Sequence, residues 1–331
     1  MRGTDVVDQR SISDGRNQRD EPSRRSFVAL EHRWAIATAI ATFLLIMAGG
    51  TVNPTGSSLA CPEAFVVCHG SLFPDMEGGV LYEHGHRQIA MMVGLLQLGL
   101  TVLLWRRRPA MRPVAAAALV MVAIQALLGA LTVYFKLPWF VSTTHLIVAM
   151  LYFATTLYQT WRTREPRRAP AAAATRTRRW IAAGALAVLA QILLGGLVRH
   201  HGAALASIDL PLHDGSLWPA GAPFALKLHM AHRIGGVLVG TIAIVCAIAI
   251  ARGARDSAAL RRTALAVPVA VLLQISLGAM VILSFRAVPL AVLHFGGAAL
   301  LWGLFVSMWL MSRGIEPAAP RAGVVLTGGA R

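Results

Sequence analysis

The sequence predicts an all-α membrane protein: eight transmembrane helices, arranged as two four-helix bundles related by a pseudo-twofold axis. Three observations predict it. The 331 residues are 56% hydrophobic and only 14% charged, against roughly a quarter charged in soluble domains. The apolar residues fall into blocks of about 20, the length of a bilayer-crossing helix. Motifs of the first half also return in the second at a nearly constant offset.

The blocks run Trp34–Val52, His86–Trp105, Val114–Tyr134, Ser142–Trp161, Trp180–Val198, His232–Ala251, Ala264–Leu283 and Val288–Met311. One such block suits a buried soluble helix; a series of eight does not. The net charge of +16 is a topology signal and calls for no nucleic acid. Of the 31 basic residues, 25 lie before the first block, after each even-numbered block, or in the tail. The stretch 53–83 has none. By the positive-inside rule both termini are expected in the cytoplasm of a bacterial cell with an inner membrane, and the loops 53–83 and 199–229 in the periplasm. Residues 1–32 are polar and lack an apolar run, so they read as a disordered cytoplasmic tail without a cleavable signal, the first span being an uncleaved anchor.

The repeat divides the rest. Gly49-Gly50 and Gly195-Gly196 are 146 residues apart, as are His86-Arg87 and His232-Arg233. Gln125-Ala-Leu-Leu-Gly-Ala matches Gln274-Ile-Ser-Leu-Gly-Ala at 149, and His145 matches His294 at the same offset. Four spans per repeat give both halves the same orientation. The expected organisation is an N-terminal half at 33–164, a cytoplasmic linker at 165–178, a C-terminal half at 179–313 and a tail at 314–331.

Of eleven histidines, seven read as loop, tail or interfacial residues: His32, His69, His84, His200, His201, His213 and His229. The other four, His86, His145, His232 and His294, lie inside even-numbered spans, where a polar ring needs a partner. Two imidazoles from neighbouring helices can take both axial positions of a heme iron. Zinc or copper also accept histidine, but no third or fourth ligand clusters with either pair. His86 is expected to pair with His145, and His232 with His294. Arg87 and Arg233 can reach a propionate in bidentate fashion or snorkel to the interface.

The halves differ at two places. Glu83, one turn from His86, corresponds to His229. Cys61 and Cys68 in the first outer loop have counterparts near Ser207 and His213. The cysteine pair suits a disulfide in an oxidising compartment or a cycling thiol pair. Cys246 lies within a span and reads as packing.

Gly49-Gly50, Thr55-Gly56-Ser57, Leu59-Ala60-Cys61-Pro62, Cys68-His69-Gly70, Glu83-x-x-His86-Arg87, His145, Gly195-Gly196-Leu197-Val198-Arg199, His232-Arg233 and His294 together resemble the heme A synthases, from Trp34 to Arg313. The resemblance implies oxidation of a methyl group of heme O, through the alcohol, to the formyl group of heme A for cytochrome oxidase. It implies iron ligation by His86, His145, His232 and His294. Substrate heme would lie in the N-terminal half with Arg87, and a heme b cofactor in the C-terminal half with Arg233. It further implies catalytic Glu83, a Cys61–Cys68 disulfide, and heme O synthase and oxidase assembly factors as partners. The first loop departs from the family pattern, with Asn53 for its arginine, Ser58 for its last glycine, and no tryptophan or second proline between the cysteines. Two other readings remain: a bis-histidine cytochrome that only passes electrons, and a heme carrier or transporter. Glu83 disfavours the first; the lack of matching helix breaks disfavours the second.

Overall fold

A computed structural model of the chain describes residues 29–63, 65–164, 172–314 and 317–319. Most of the tails expected at 1–32 and 314–331, and residues 165–171 of the expected linker, lie outside the described residues. The described chain is helical: α1 Leu30–Val52, α2 Gly78–Arg107, α3 Arg112–Tyr134, α4 Trp139–Thr163, α5 Thr175–His200, α6 Phe224–Gly253, α7 Ala258–Leu283 and α8 Val288–Ser312. All eight are long and apolar enough to cross a membrane. Among the described residues there is no strand, only the isolated bridges Cys68–Ser71 and His213–Ser216.

Local chemistry sets the helix ends. Ser257 caps α7 by accepting from the Leu260 amide at 3.3 Å, which satisfies one orphan donor of the first turn. Prolines open α3 and α8, where a missing N–H costs nothing. Arg106 and Arg107 close α2, their charge opposing the negative end of the helix dipole. The turn after α3 places Lys136 and Leu137 at φ 54° and 66°, and the turn after α7 places Phe285 and Arg286 at 51° and 69°. The same left-handed pair thus recurs in both halves.

Within each half the helices contact one another in a closed ring: α1 with α2, α2 with α3, α3 with α4 and α4 with α1, and likewise α5 to α8. The halves meet through α1 on α8 and through α4 on α5 and α8. Large apolar side chains point outward, Leu95 at 69%, Leu186 at 68% and Leu272 at 63% exposure. Small and polar residues such as Ala35, Thr38, Gln97 and Thr156 are buried. That inverted pattern suits helices solvated by lipid.

The structure corrects two boundaries. α2 and α6 each start eight residues before the histidine expected to open them. Their first two turns carry Glu83, His84 and His229, which broke the apolar pattern. All three are buried, at 4%, 0% and 3% exposure, so the interfacial reading of His84 and His229 is overturned. His86 and His232 consequently sit two turns inside their helices.

Candidate functional site

The double glycines place the four span histidines. A Cβ on Gly49 would come within 2.9 Å of the His86 ring, and one on Gly195 within 3.0 Å of the His232 ring. Gly278 stands in the same relation to His294 at 3.0 Å, and Gly129 faces His145 at 3.6 Å. Each even-numbered helix thus lays its histidine into a glycine notch on the helix before it. The second glycine of each pair serves the other half: Gly50 receives Phe295 of α8, and Gly196 receives Leu146 of α4. Bare backbone at both positions allows the close approach that membrane helices use for packing.

His232 and His294 face each other with ring centroids 6.5 Å apart and planes at 88°. Two metal–imidazole bonds of about 2 Å each, with half a ring added at either end, span about 6 Å. The two rings line a cavity of about 800 Å³ with Val188, Ile192, Val271 and Phe295, within the size range of cofactor pockets. Among the described residues no hydrogen bond engages Nε2 of either ring; the contacts fall on Nδ1. The His294 Nδ1 lies 3.1 Å from the Gln274 carbonyl. Donation to that carbonyl leaves the Nε2 lone pair free to bind a metal, the usual arrangement around metal-bound histidine. Apolar walls and two opposed imidazoles fit a heme.

Nδ1 of His86 and Nδ1 of His145 are each buried without a hydrogen-bond partner. Arg199, missed as a site residue although its motif was visible, also lines the large cavity. It donates to the Gly49 carbonyl across the half boundary at 3.0 Å and stacks on Phe295 at 5.2 Å, while its Nε is buried without a partner. Arg233 and Arg286 line the same cavity. Arg286 donates to Asn53 at 3.3 Å, so Asn53 has a role at the seam between the halves.

The outer loops repeat in detail. In the first, Glu83 pairs with Arg87 at 2.6 Å and accepts from the Cys61 amide at 3.0 Å. Arg87 also donates to the carbonyls of Phe65 and Val67. In the second, Arg233 donates to His229 at 3.2 Å and to the carbonyls of Asp209 and Ser207, both at 2.6 Å. His229 in turn lies 3.4 Å from the Ser207 amide. Both arginines therefore act as clasps for loop backbone. Cys61 and Cys68 are joined by a disulfide; the second loop closes the same position with a His213–Ser207 hydrogen bond at 3.1 Å. His84 lies against the two sulfurs, which are spent on each other. Glu63 accepts from the amides of His69 and Gly70, both at 2.9 Å. Its own backbone amide and those two hold its carboxyl below the usual carboxylate range. Cys246 is free and buried.

The glycine notches yield an internal comparison. Gly278→Ala and Gly195→Ala should each displace a ring and cost about 1–3 kcal/mol of packing strain. Gly129→Ala, in ordinary contact distance, should be tolerated. The ratio of bound heme to purified protein is the measurement; equal ratios in all three variants would refute the notch.

The model of the cytochrome oxidase assembly protein family (COX15-CtaA) matches residues 75–306. The heme A synthase of Symbiobacterium thermophilum is 28% identical, the match covering 82% of this chain and 91% of that one. That of Shouchella clausii is 26% identical over 84% of this chain and 96% of its own. That of Shewanella oneidensis is 28% identical over 80% and 91%.

Proposed function

The chain belongs to the COX15-CtaA family of cytochrome oxidase assembly proteins, and on that premise we propose that it is a multi-pass membrane oxidoreductase converting heme O to heme A. The observation that carries the reading is the facing His232–His294 pair over the large apolar cavity, in a chain whose matched relatives are named heme A synthases.

In this reading His232 and His294 hold a heme b, which supplies one-electron transfer when bound. Arg233, Arg199 and Arg286 line the same cavity and would offer cations to the heme propionates. His86 and His145 hold the substrate heme O in the N-terminal half, with Arg87 beside them. Glu83, clasped between Arg87 and the Cys61 amide, faces the outer end of that site. It is the group that would accept a proton as the methyl carbon is oxidised, with an external electron acceptor taking the electrons and water supplying the oxygen. The disulfide and Glu63 keep the loop in place over it. Apolar helices around both pairs exclude water from the porphyrin faces. Heme O synthase is the proposed source of substrate, and oxidase assembly factors the proposed recipients of product.

Co-expression with a heme O source, followed by extraction of bound porphyrins, tests the function. Heme A should appear; unchanged heme O would point to a carrier. The orientation has its own test. With termini in the cytoplasm, a cysteine at Ser71 should be labelled from the periplasm and one at Arg168 should not. Periplasmic labelling at 168 would invert the proposed topology.

A further inference from the structure

The four histidines are not held equally. In three of the four notches a glutamine stands four residues before the glycine: Gln125 before Gly129, Gln191 before Gly195, Gln274 before Gly278. Each glutamine amide donates across the helix interface to the main-chain carbonyl of the histidine in its notch. The distances are 3.0 Å to His145, 2.9 Å to His232 and 2.8 Å to His294. In the C-terminal half the same amides also lie beside the rings, 3.0 Å from His232 Nδ1 and 3.2 Å from His294 Nδ1. His294 gains a third contact from the Gln274 carbonyl.

The fourth notch breaks the pattern. Four residues before Gly49 stands Leu45, which has no amide to give. His86 therefore lacks the main-chain clamp that the other three histidines share, while its Nδ1, like that of His145, is buried without a hydrogen-bond partner. His294, with its main chain clamped and its ring nitrogen on the Gln274 carbonyl, is thus the most attached, and His86 the least. The His86 ring packs against Gly49.

We infer that His86 is the exchangeable ligand of the four, that Gln125, Gln191 and Gln274 are positioning residues for the other three, and that Leu45 is the site where this clamp is withheld. The inference rests on the reading of the four histidines as heme ligands. Its logic is chemical. A heme held by two imidazoles has no open position on iron, and a heme that is substrate must also be taken up and given up. Both needs are met if one coordinate bond, from the histidine whose main chain is not clamped to the neighbouring helix, is easily broken and remade. Partners outside the ligand shell typically change metal affinity 10–100-fold, so withholding one of the main-chain clamps selects which ligand leaves. A permanent cofactor has the opposite need, and both of its histidines are clamped through the main chain.

Carbon monoxide, added to the dithionite-reduced, heme-loaded full chain, reads out an opened iron position without reference to activity. Wild-type protein should bind it at one heme only. Leu45→Gln should slow that binding about 10-fold or more, while Leu45→Met leaves it unchanged. Gln274→Leu, which adds no polar group to the membrane interior, should make a second heme reactive. Wild-type rates in Leu45→Gln at normal heme content, or an unreactive second heme in Gln274→Leu, would overturn the assignment. If Leu45→Gln does not fold, the Gln274→Leu arm decides alone. Absence of any low-spin heme from wild-type protein would instead remove the underlying reading of the histidines.

Discussion

Protein purified with its heme should lose the low-spin spectrum of its C-terminal half when either His232 or His294 is replaced by alanine. The rings stand 6.5 Å apart, so each supplies one of two opposed nitrogens, and removing either leaves a single axial bond. A five-coordinate heme in an apolar cavity of about 800 Å³ becomes high-spin or dissociates. The effect should be near complete in each single variant, because the second ring cannot serve both faces. His86→Ala should spare this spectrum and diminish binding of the substrate heme, since its notch belongs to α1 and α2. Absorption and electron paramagnetic resonance spectra of the purified variants are the measurement. An unchanged spectrum in both His232→Ala and His294→Ala would show that this pair is not the ligand set.

The parts of this arrangement legible in the sequence were those carried by periodicity and by the repeat. Eight spans follow from apolar length alone, and the recurrence of glycine pairs and histidines at a fixed offset picks out the four rings. The starts of α2 and α6 were not legible. Glu83, His84 and His229 look like interface residues until their partners are known, and those partners lie in loops 12 to 22 residues away. The glutamine clamps were half visible. Gln125 and Gln274 stood out as part of the repeat, but only the folded chain shows their amides on the carbonyls of His145 and His294. Gln191 was hidden because its counterpart in the first half is Leu45. Repeat arguments pick out what two halves share, whereas here the information lies in a difference. Arg199 was obscured in the same way, since its counterpart is Asn53. Its place in the cavity wall depends on how α5 packs against α1 and α8.

Glu83→Gln should retain the heme of the C-terminal half and still bind heme O, yet lose 10²–10⁴ of heme A formation, the range typical of removing a positioned acid or base. The carboxylate is buried at 4% exposure, one oxygen on Arg87 at 2.6 Å and the other on the Cys61 amide at 3.0 Å. Those two contacts have a structural consequence, because they tie the disulfide loop to α2. They also fix the carboxylate one turn from His86, where the edge of a heme ligated by that ring would lie. Oxidising a methyl group builds positive charge on carbon and releases protons, and a buried carboxylate at fixed distance can stabilise the one and accept the other. The second half, with His229 at this position, ties its loop to α6 without a carboxylate on the helix: Arg233 grips the carbonyls of Asp209 and Ser207. Loop anchoring therefore does not require a glutamate, which argues that Glu83 is retained for its charge. Glutamine keeps the shape and can still accept from the Cys61 amide, so the loop should stay closed while the charge is gone. A Cys61→Ser, Cys68→Ser double variant loosens the loop and keeps the carboxylate. Porphyrin composition in cells expressing each variant separates the two roles. The glutamine variant should accumulate heme O and the alcohol, and the serine variant should form heme A at a reduced level. Wild-type heme A in Glu83→Gln would remove the carboxylate from the chemistry. An equal loss in both variants, with the loop opened to protease in each, would reduce Glu83 to an anchor.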